Sequence, residues 1–301
     1  MSNRIKVNLF AFITVLFWGS GFPFTRAIGD SISSYSLAFI RCFLSAVILF
    51  LISRATVPLR KPFCRRDWGW FFISGLLGFS SYLLFFNLGL ETLSSATGSI
   101  ITAATPVITA IGAGILYKEK INLTGWISIG CAFGGVVILL FWNGVLSINK
   151  GIIWMFLCAA VFAGYNLLNR KFSNDGYTAM EVVTYSAAFG ALQTIFFMPG
   201  AVSQVLASNT AANLSAVYLG VLPGAIAYYA WSKALTLAER TGEVTNYLFI
   251  NPLIAAVIGF ILLKEIPDMG TYIGGVIIII SVVVFSMKGN KDPDLPSSVS
   301  K

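Results

Sequence analysis

The sequence predicts an all-α integral membrane protein of ten transmembrane helices, arranged as two inverted five-helix repeats. Three observations carry that expectation. Apolar residues fill 57% of the 301 positions and charged residues only 11%, against about 45–50% and about 25% in an ordinary soluble domain. The apolar residues gather into runs long enough to cross a bilayer. A segment from the first half also returns 146 residues later in the second. With a mean hydropathy of +0.82, the chain holds more apolar surface than a globular core can hide.

A span needs roughly 20 apolar residues to cross about 30 Å of hydrocarbon. Such runs cover Val7–Ala27, Ser34–Ile52, Trp68–Leu88, Leu93–Tyr117 and Leu123–Phe141, then Gly151–Arg170, Met180–Met198, Leu214–Ala234, Val244–Leu263 and Gly270–Met287. The loops between them are short, and Leu295–Lys301 reads as a disordered tail. Arg4 and Lys6 resemble the start of a signal peptide, but no small-residue cleavage site follows, so the first run is read as a retained helix. The expected units are residues 1–146 and 147–288, one five-helix repeat each, with 289–301 as a cytoplasmic tail.

Charge placement orients these spans. With the N-terminus inside, the cytoplasmic segments hold Arg4, Lys6, Arg54, Arg60, Lys61, Arg65, Arg66, Lys118, Lys120, Arg170, Lys171, Lys233, Arg240, Lys288, Lys291 and Lys301. The opposite side holds only Arg26, Lys150 and Lys264, and Arg41 lies within a span. The positive-inside bias therefore places both termini in the cytoplasm of an inner or plasma membrane. The same placement, loop by loop, argues against nucleic acid as the reason for the net charge of +8.

The repeat is the most specific signal. Pro106–Glu119 reads PVITAIGAGILYKE and Pro252–Glu265 reads PLIAAVIGFILLKE, identical at seven of fourteen positions. More weakly, Arg26 and Asp30 face Arg170 and Asp175. Five helices per half is an odd number, so the halves insert with opposite orientation. Inverted repeats of this kind build alternating-access transporters, with substrate held between the halves.

At these residues the chain resembles the EamA-type branch of the drug/metabolite transporter superfamily. FWGSGFPFTRAIGD (Phe17–Asp30) is similar to that family's first helix, and FIRCFLSAVIL (Phe39–Leu49) to its arginine-bearing second helix. The two Pro-to-Glu segments, each followed by a glycine-rich helix, resemble its helices 4–5 and 9–10. The likeness runs from about Val7 to Met287. It implies ten helices, two inverted repeats and a central substrate cavity, but no particular substrate, since the family handles amino acids, nucleosides, other metabolites and drugs. Tyr185 stands where the second half would carry a counterpart of Arg41.

Arg41 is the sharpest candidate. An arginine inside a span costs roughly 2.5–3.5 kcal/mol on insertion scales, so it is expected to face protein or water. It is read either as the counter-charge of an anionic substrate group or as a structural clamp or snorkelling residue. Polar and small residues recur at helical spacing on several helices: Thr14, Trp18, Gly21 and Thr25; Gly98, Thr102, Thr105, Thr109 and Gly112; Ala159, Ala163, Asn166 and Arg170; Glu243, Tyr247 and Asn251. Such stripes serve helix packing as readily as binding, whereas a buried asparagine has four hydrogen-bonding positions to fill. The expected cavity wall is Trp18, Arg41, Thr102, Thr105, Asn166, Tyr229, Asn246, Tyr247 and Asn251. Tyr82, Tyr165, Tyr228 and Trp231 are further aromatic candidates, with the interfacial aromatic belt as the alternative.

Pro106 and Pro252 are read as mid-span kinks in equivalent helices, marking the binding region. Glu119 and Glu265, beside lysines at helix ends, are read as anchors rather than proton carriers. Gly130–Gly134 and Gly270–Gly274 are GxxxG pairs, suited to close helix packing or to a homodimer. The chain has no histidine, and Cys42, Cys64, Cys131 and Cys158 lie far apart, so no disulfide framework, metal site or cofactor is expected. The functional expectation is a carrier that exports small organic metabolites, amino acids or similar solutes, with a small-molecule substrate and the lipid bilayer as its partners. The alternatives are a membrane-embedded enzyme, which needs an ionisable cluster that the spans do not show, and a non-transporting scaffold.

Overall fold

A computed structural model of the chain describes residues 3–56, 59–60, 65–117, 122–142, 149–238, 244, 246–285 and 287. All the regular structure among them is helical. Helix α1 (Asn3–Ile28) is followed by α2 (Ser34–Ala55), then by α3 (Arg65–Gly75) and α4 (Ser81–Leu90), which are joined through a π-helical turn at Leu76–Ser80. Next come α5 (Ser95–Thr102), α6 (Thr105–Tyr117) and α7 (Leu123–Phe141). After α8 (Lys150–Asn174), α9 (Ala179–Gln193) bends by 50° into α10 (Met198–Ala207). Helices α11 (Thr210–Val221) and α12 (Ala227–Leu237) join through a second π turn at Leu222–Ile226. A 3-10 turn at Asn246–Ile250 leads into α13 (Asn251–Leu263), and α14 (Met269–Val284) follows.

Six of these continuous helical stretches are long and apolar enough to cross a membrane, and the bent α9–α10 pair makes a seventh. Shorter apolar helices lie at Leu123–Gly135, Asn251–Leu263 and Met269–Ser281. Outward-facing Phe12, Phe43, Phe133, Phe196, Leu253 and Phe260 are exposed, as lipid-facing side chains of a multi-pass membrane protein must be.

Local chemistry starts the helices where they start. Ser33, Ser94, Asn122, Asn149 and Asn209 each accept a backbone N–H from the first turn that follows, meeting donors that have no partner within the helix. Thr178 and Glu181 form a reciprocal capping box at the start of α9. Gly29 and Gly176 end α1 and α8 with positive φ, 55° and 84°, a conformation glycine adopts without strain.

The boundaries recur. The π turn at Leu76–Ser80 lies 146 residues before that at Leu222–Ile226, and α6 lies 146 residues before α13. Packing is reciprocal too: α1 lies against α12 and α13, while α8 lies against α4 and α6. Other close pairs are α2 with α9 and α11, and α7 with α14.

One expectation needs correction. Pro106 and Pro252 are not mid-helix kinks, because α6 and α13 begin one residue earlier, at Thr105 and Asn251. Each proline sits in a first turn, where its missing N–H removes no helical bond. The interruption lies before it, at Ala103–Ala104 and at Asn246–Ile250.

Two glycines allow the π turns to pack. A Cβ on Gly78 would lie 2.2 Å from the Tyr165 ring, and one on Gly224 would lie 2.2 Å from Ser45 Oγ. Gly130 and Gly134 face open space, while Gly135 sits against the Gly274 carbonyl at the α7–α14 contact. Gly78→Ala and Gly224→Ala are therefore expected to destabilise the protein by about 1–3 kcal/mol through overpacking. Gly130→Ala and Gly134→Ala should leave thermal unfolding in detergent unchanged or slightly raised. Equal effects at all four positions would refute this packing.

Candidate functional site

The two π turns converge on a buried aromatic cluster at the centre of the molecule. A π turn leaves carbonyls without their usual helical donor, and buried carbonyls must be met within the protein. Tyr228, in the turn of α12 after the second π segment, donates its hydroxyl to the Gly78 carbonyl in the first at 2.6 Å. Trp18, on α1, donates its indole N–H to the Pro223 carbonyl at 3.0 Å. Ser45, on α2, bridges the Arg41 carbonyl and the Gly220 carbonyl at 2.6 and 3.1 Å.

The rings that make these bonds also pack on one another. Trp18 meets Phe162 and Tyr228 edge-on, each at 5.2 Å between centroids, and Trp231 at 5.0 Å. Phe79 stacks on Tyr228 at 4.5 Å, and Tyr82 lies 4.8 Å from Phe162. Tyr228 and Trp231 are essentially inaccessible, so they belong to the core and not to an interfacial belt.

The expected site residues distribute unevenly around this cluster. Asn166 joins it directly, its Oδ1 accepting the Trp231 indole N–H at 3.1 Å while its Nδ2 has no partner. Arg41 lies at its edge, with its guanidinium 5.2 Å from the Phe86 ring. Its Nη1 donates to Asn87 Oδ1 at 3.1 Å, and its Nε is buried without a partner. Asn251 opens α13 next to Gly19, one residue from Trp18, and its buried Oδ1 also lacks a partner. Tyr229 and Tyr247 pack, partly buried, against the outside of the cluster.

Thr102 and Thr105 are less available. Their hydroxyls donate to the carbonyls of Ser99 and Thr102 at the break between α5 and α6. The side chain of Asn246, together with Lys118, Glu119 and Glu243, lies outside the described residues. Asn87 and Phe162 escaped the sequence reading. A mid-span asparagine on α4 was the available signal for the first, and nothing distinguished Phe162 from the 25 phenylalanines of the chain.

Ion pairs lie at the ends of the bundle. Arg26 pairs with Glu265 and also donates to the Leu90 and Leu93 carbonyls, while Glu265 accepts the Ser95 N–H at 2.9 Å. At the other end Arg60 grips Glu181 through Nε at 2.7 Å and Nη2 at 2.8 Å. Among the described residues no group of three or more His, Cys, Asp or Glu side chains is placed to hold a metal.

The central network has a direct test. Tyr228→Phe and Trp18→Phe each remove a side-chain donor from a buried π-turn carbonyl and should cost about 1–3 kcal/mol, read as a lower unfolding temperature in detergent. Tyr229→Phe, outside the network, should fall within about 0.5 kcal/mol of the parent. Equal stability for all three would show that the π-turn carbonyls do not depend on these donors.

The chain is similar to known proteins along nearly its whole length. The chain is 27% identical over 290 residues to the uncharacterized transporter YdfC of Bacillus subtilis, covering 96% of this chain and 94% of that one. It is 27% identical over 276 residues to a probable terminal-alkyne amino-acid exporter of Streptantibioticus cattleyicolor, with 92% of each chain covered. It is 26% identical over 259 residues to an S-adenosylmethionine uptake transporter of Rickettsia bellii, covering 85% and 84%. A solved crystal structure superposes with a TM-score of 0.65 over 96% of this chain and 100% of the other, at 17% identity, a likeness of fold. The model of the EamA-like transporter family matches twice, over residues 5–141 and 149–287. A multi-pass helical bundle with that double match is a membrane transporter, and the chain belongs to the EamA-like transporter family.

Proposed function

We propose that the protein is an alternating-access carrier of small organic metabolites, built of ten transmembrane helices in two inverted repeats and exporting its solute across the inner or plasma membrane. One observation carries this reading: helix breaks at equivalent positions, the two π turns and the two proline-started helices, surround one central cluster. Broken helices at matching positions in the two halves are how carriers place a substrate site at mid-membrane. Six long stretches, the bent pair and three shorter apolar helices fit ten crossings. Residues 1–146 and 147–288 are the two units, and the substrate lies among Trp18, Arg41, Asn166, Tyr229, Tyr247 and Asn251, with Asn246, Thr102 and Thr105 at its border. In this topology both termini are cytoplasmic, Arg60–Glu181 lies on the inner face and Arg26–Glu265 on the outer.

The relatives bear on the solute only by analogy. Their names cover an amino-acid exporter and an uptake transporter, so direction varies among similar chains. Export of small carboxylate-bearing solutes, amino acids among them, is the reading tested first.

Two measurements follow. In a background with the native cysteines replaced, single cysteines at Leu59 and Asn174 should label only from the cytoplasmic side, and those at Lys150 and Lys264 only from outside. Labelling of all four from one side would remove the inverted topology. In proteoliposomes, uptake and efflux screened across amino acids, nucleobases and cationic drugs should reveal a saturable solute. For that solute, Asn251→Leu should weaken apparent affinity at least tenfold with thermal stability unchanged. A loss of stability with intact transport constants would make Asn251 a packing residue.

A further inference from the structure

We infer that the solute is a compact organic monoanion, its carboxylate held by Arg41 beside Asn87 and its apolar body by the surrounding rings. This rests on the carrier reading and names the substrate class of the same site.

The charge balance points to an anion. Among the described residues Arg41 is the only buried cation and Glu181 the only buried acid. Glu181 is gripped by Arg60. It also lies nine residues before Gly190, which packs on Cys42, a distance of about 14 Å along the helix. No carboxylate pairs with Arg41 among the described residues. The contacts its guanidinium makes are the Asn87 amide and the face of Phe86.

The geometry argues against a purely structural clamp, and Arg26 shows what a clamp looks like in this protein. Arg26 holds two backbone carbonyls and a carboxylate, tying α1 to the α4–α5 turn and to the end of α13. Arg41 donates to no carbonyl among its recorded bonds. Its contact is a side-chain amide, and that amide is itself fixed, because Asn87 Nδ2 donates to the Ser34 carbonyl at 3.1 Å. Asn87 thereby holds one edge of the guanidinium, and the Nε edge remains unmet. A carboxylate approaching that edge can accept parallel N–H bonds from the planar fork.

The same inventory sets selectivity. One cation offers one anionic group a partner, so a dicarboxylate leaves its second charge unpaired. Among the described residues no acid lies beside Arg41, so there the ammonium of a zwitterion meets ring faces such as those of Tyr82 and Phe86. The expected order is monocarboxylate first, zwitterion second, with amines and neutral alcohols far behind. Phe86, Tyr82, Phe162 and Trp18 suit a flat or branched apolar body.

The test holds the body constant and varies the charge. Equilibrium binding of radiolabelled 3-phenylpropionate to the full-length protein in detergent is competed with L-phenylalanine, phenethylamine and 3-phenylpropanol. We expect 3-phenylpropionate to bind, phenylalanine to compete more weakly, and the amine and the alcohol to compete at least tenfold more weakly than the acid. Asn87→Asp should separate binding from structure, because it places an internal carboxylate beside Arg41. The variant also loses the Asn87 Nδ2 donor to the Ser34 carbonyl, so unfolding is followed beside binding, and in the folded protein 3-phenylpropionate affinity should fall at least tenfold. Arg41→Lys, which keeps the charge and loses the fork, should also weaken binding at least tenfold.

Competition by the amine or the alcohol equal to that of the acid would overturn the inference. Unchanged affinity in folded Asn87→Asp and Arg41→Lys proteins would do the same. Saturable transport of some other solute with no 3-phenylpropionate binding removes the anion site and leaves the carrier reading intact. Binding that is lost in Asn87→Asp, but with no solute moving in proteoliposomes, supports the anion site and removes the carrier reading.

Discussion

Inside a bilayer a backbone carbonyl released from its helix has no water to bind, and the price of leaving it unmet is several kcal/mol. This chain interrupts its helices repeatedly, so each interruption must bring its own donor. The π turn at Leu76–Ser80 receives the Tyr228 hydroxyl, and the turn at Leu222–Ile226 receives the Trp18 indole. Because those donors are large rings from other helices, meeting the carbonyls also assembles the core. Trp18, Phe79, Tyr165, Tyr228 and Trp231 belong to one buried cluster. The irregular backbone and the aromatic centre are thus one feature, and glycine at 78 and 224 is the condition for both.

Three arginines show how position decides what a charge does here. Arg60 is exposed and meets a buried carboxylate, so water carries much of its solvation. Arg26 is half-buried and binds both a carboxylate and backbone carbonyls, a cross-helix fastening. Arg41 is buried and has an amide, a ring face and an unmet N–H. The residue type is constant. What differs is whether the protein itself supplies the compensating charge.

Much of the bundle was legible in the sequence because its physics is local. Apolar runs of span length became helices, serines and asparagines before them became caps, and the 146-residue recurrence reappeared in the helix boundaries. Tertiary partners were not legible. The sequence placed Arg41 within a span, but nothing in it joined that residue to Asn87, 46 positions away. The π turn at Leu222–Ile226 holds Pro223, whereas the equivalent turn at Leu76–Ser80 contains no proline, so no shared residue pattern marks the two. A proline inside an apolar run looks internal, and only the backbone before Pro106 and Pro252 shows that a new helix begins there. Periodicity places Thr102 and Thr105 on one face but does not report where their hydroxyls turn, here onto the Ser99 and Thr102 carbonyls. Glu265 was recognised as an anchor, but its partner Arg26 lies 239 residues away in the sequence, beyond any local pattern.

The indoles of Trp18 and Trp231 lie 5.0 Å apart with their planes at 49°. Two chromophores this close and neither parallel nor perpendicular share their excited states. The pair gives a bisignate couplet in near-ultraviolet circular dichroism that neither indole gives alone. Its amplitude follows the angle between the rings, and each ring is tethered by its N–H, one to a π-turn carbonyl and the other to Asn166. The centre of this protein therefore carries its own optical goniometer, readable without a label.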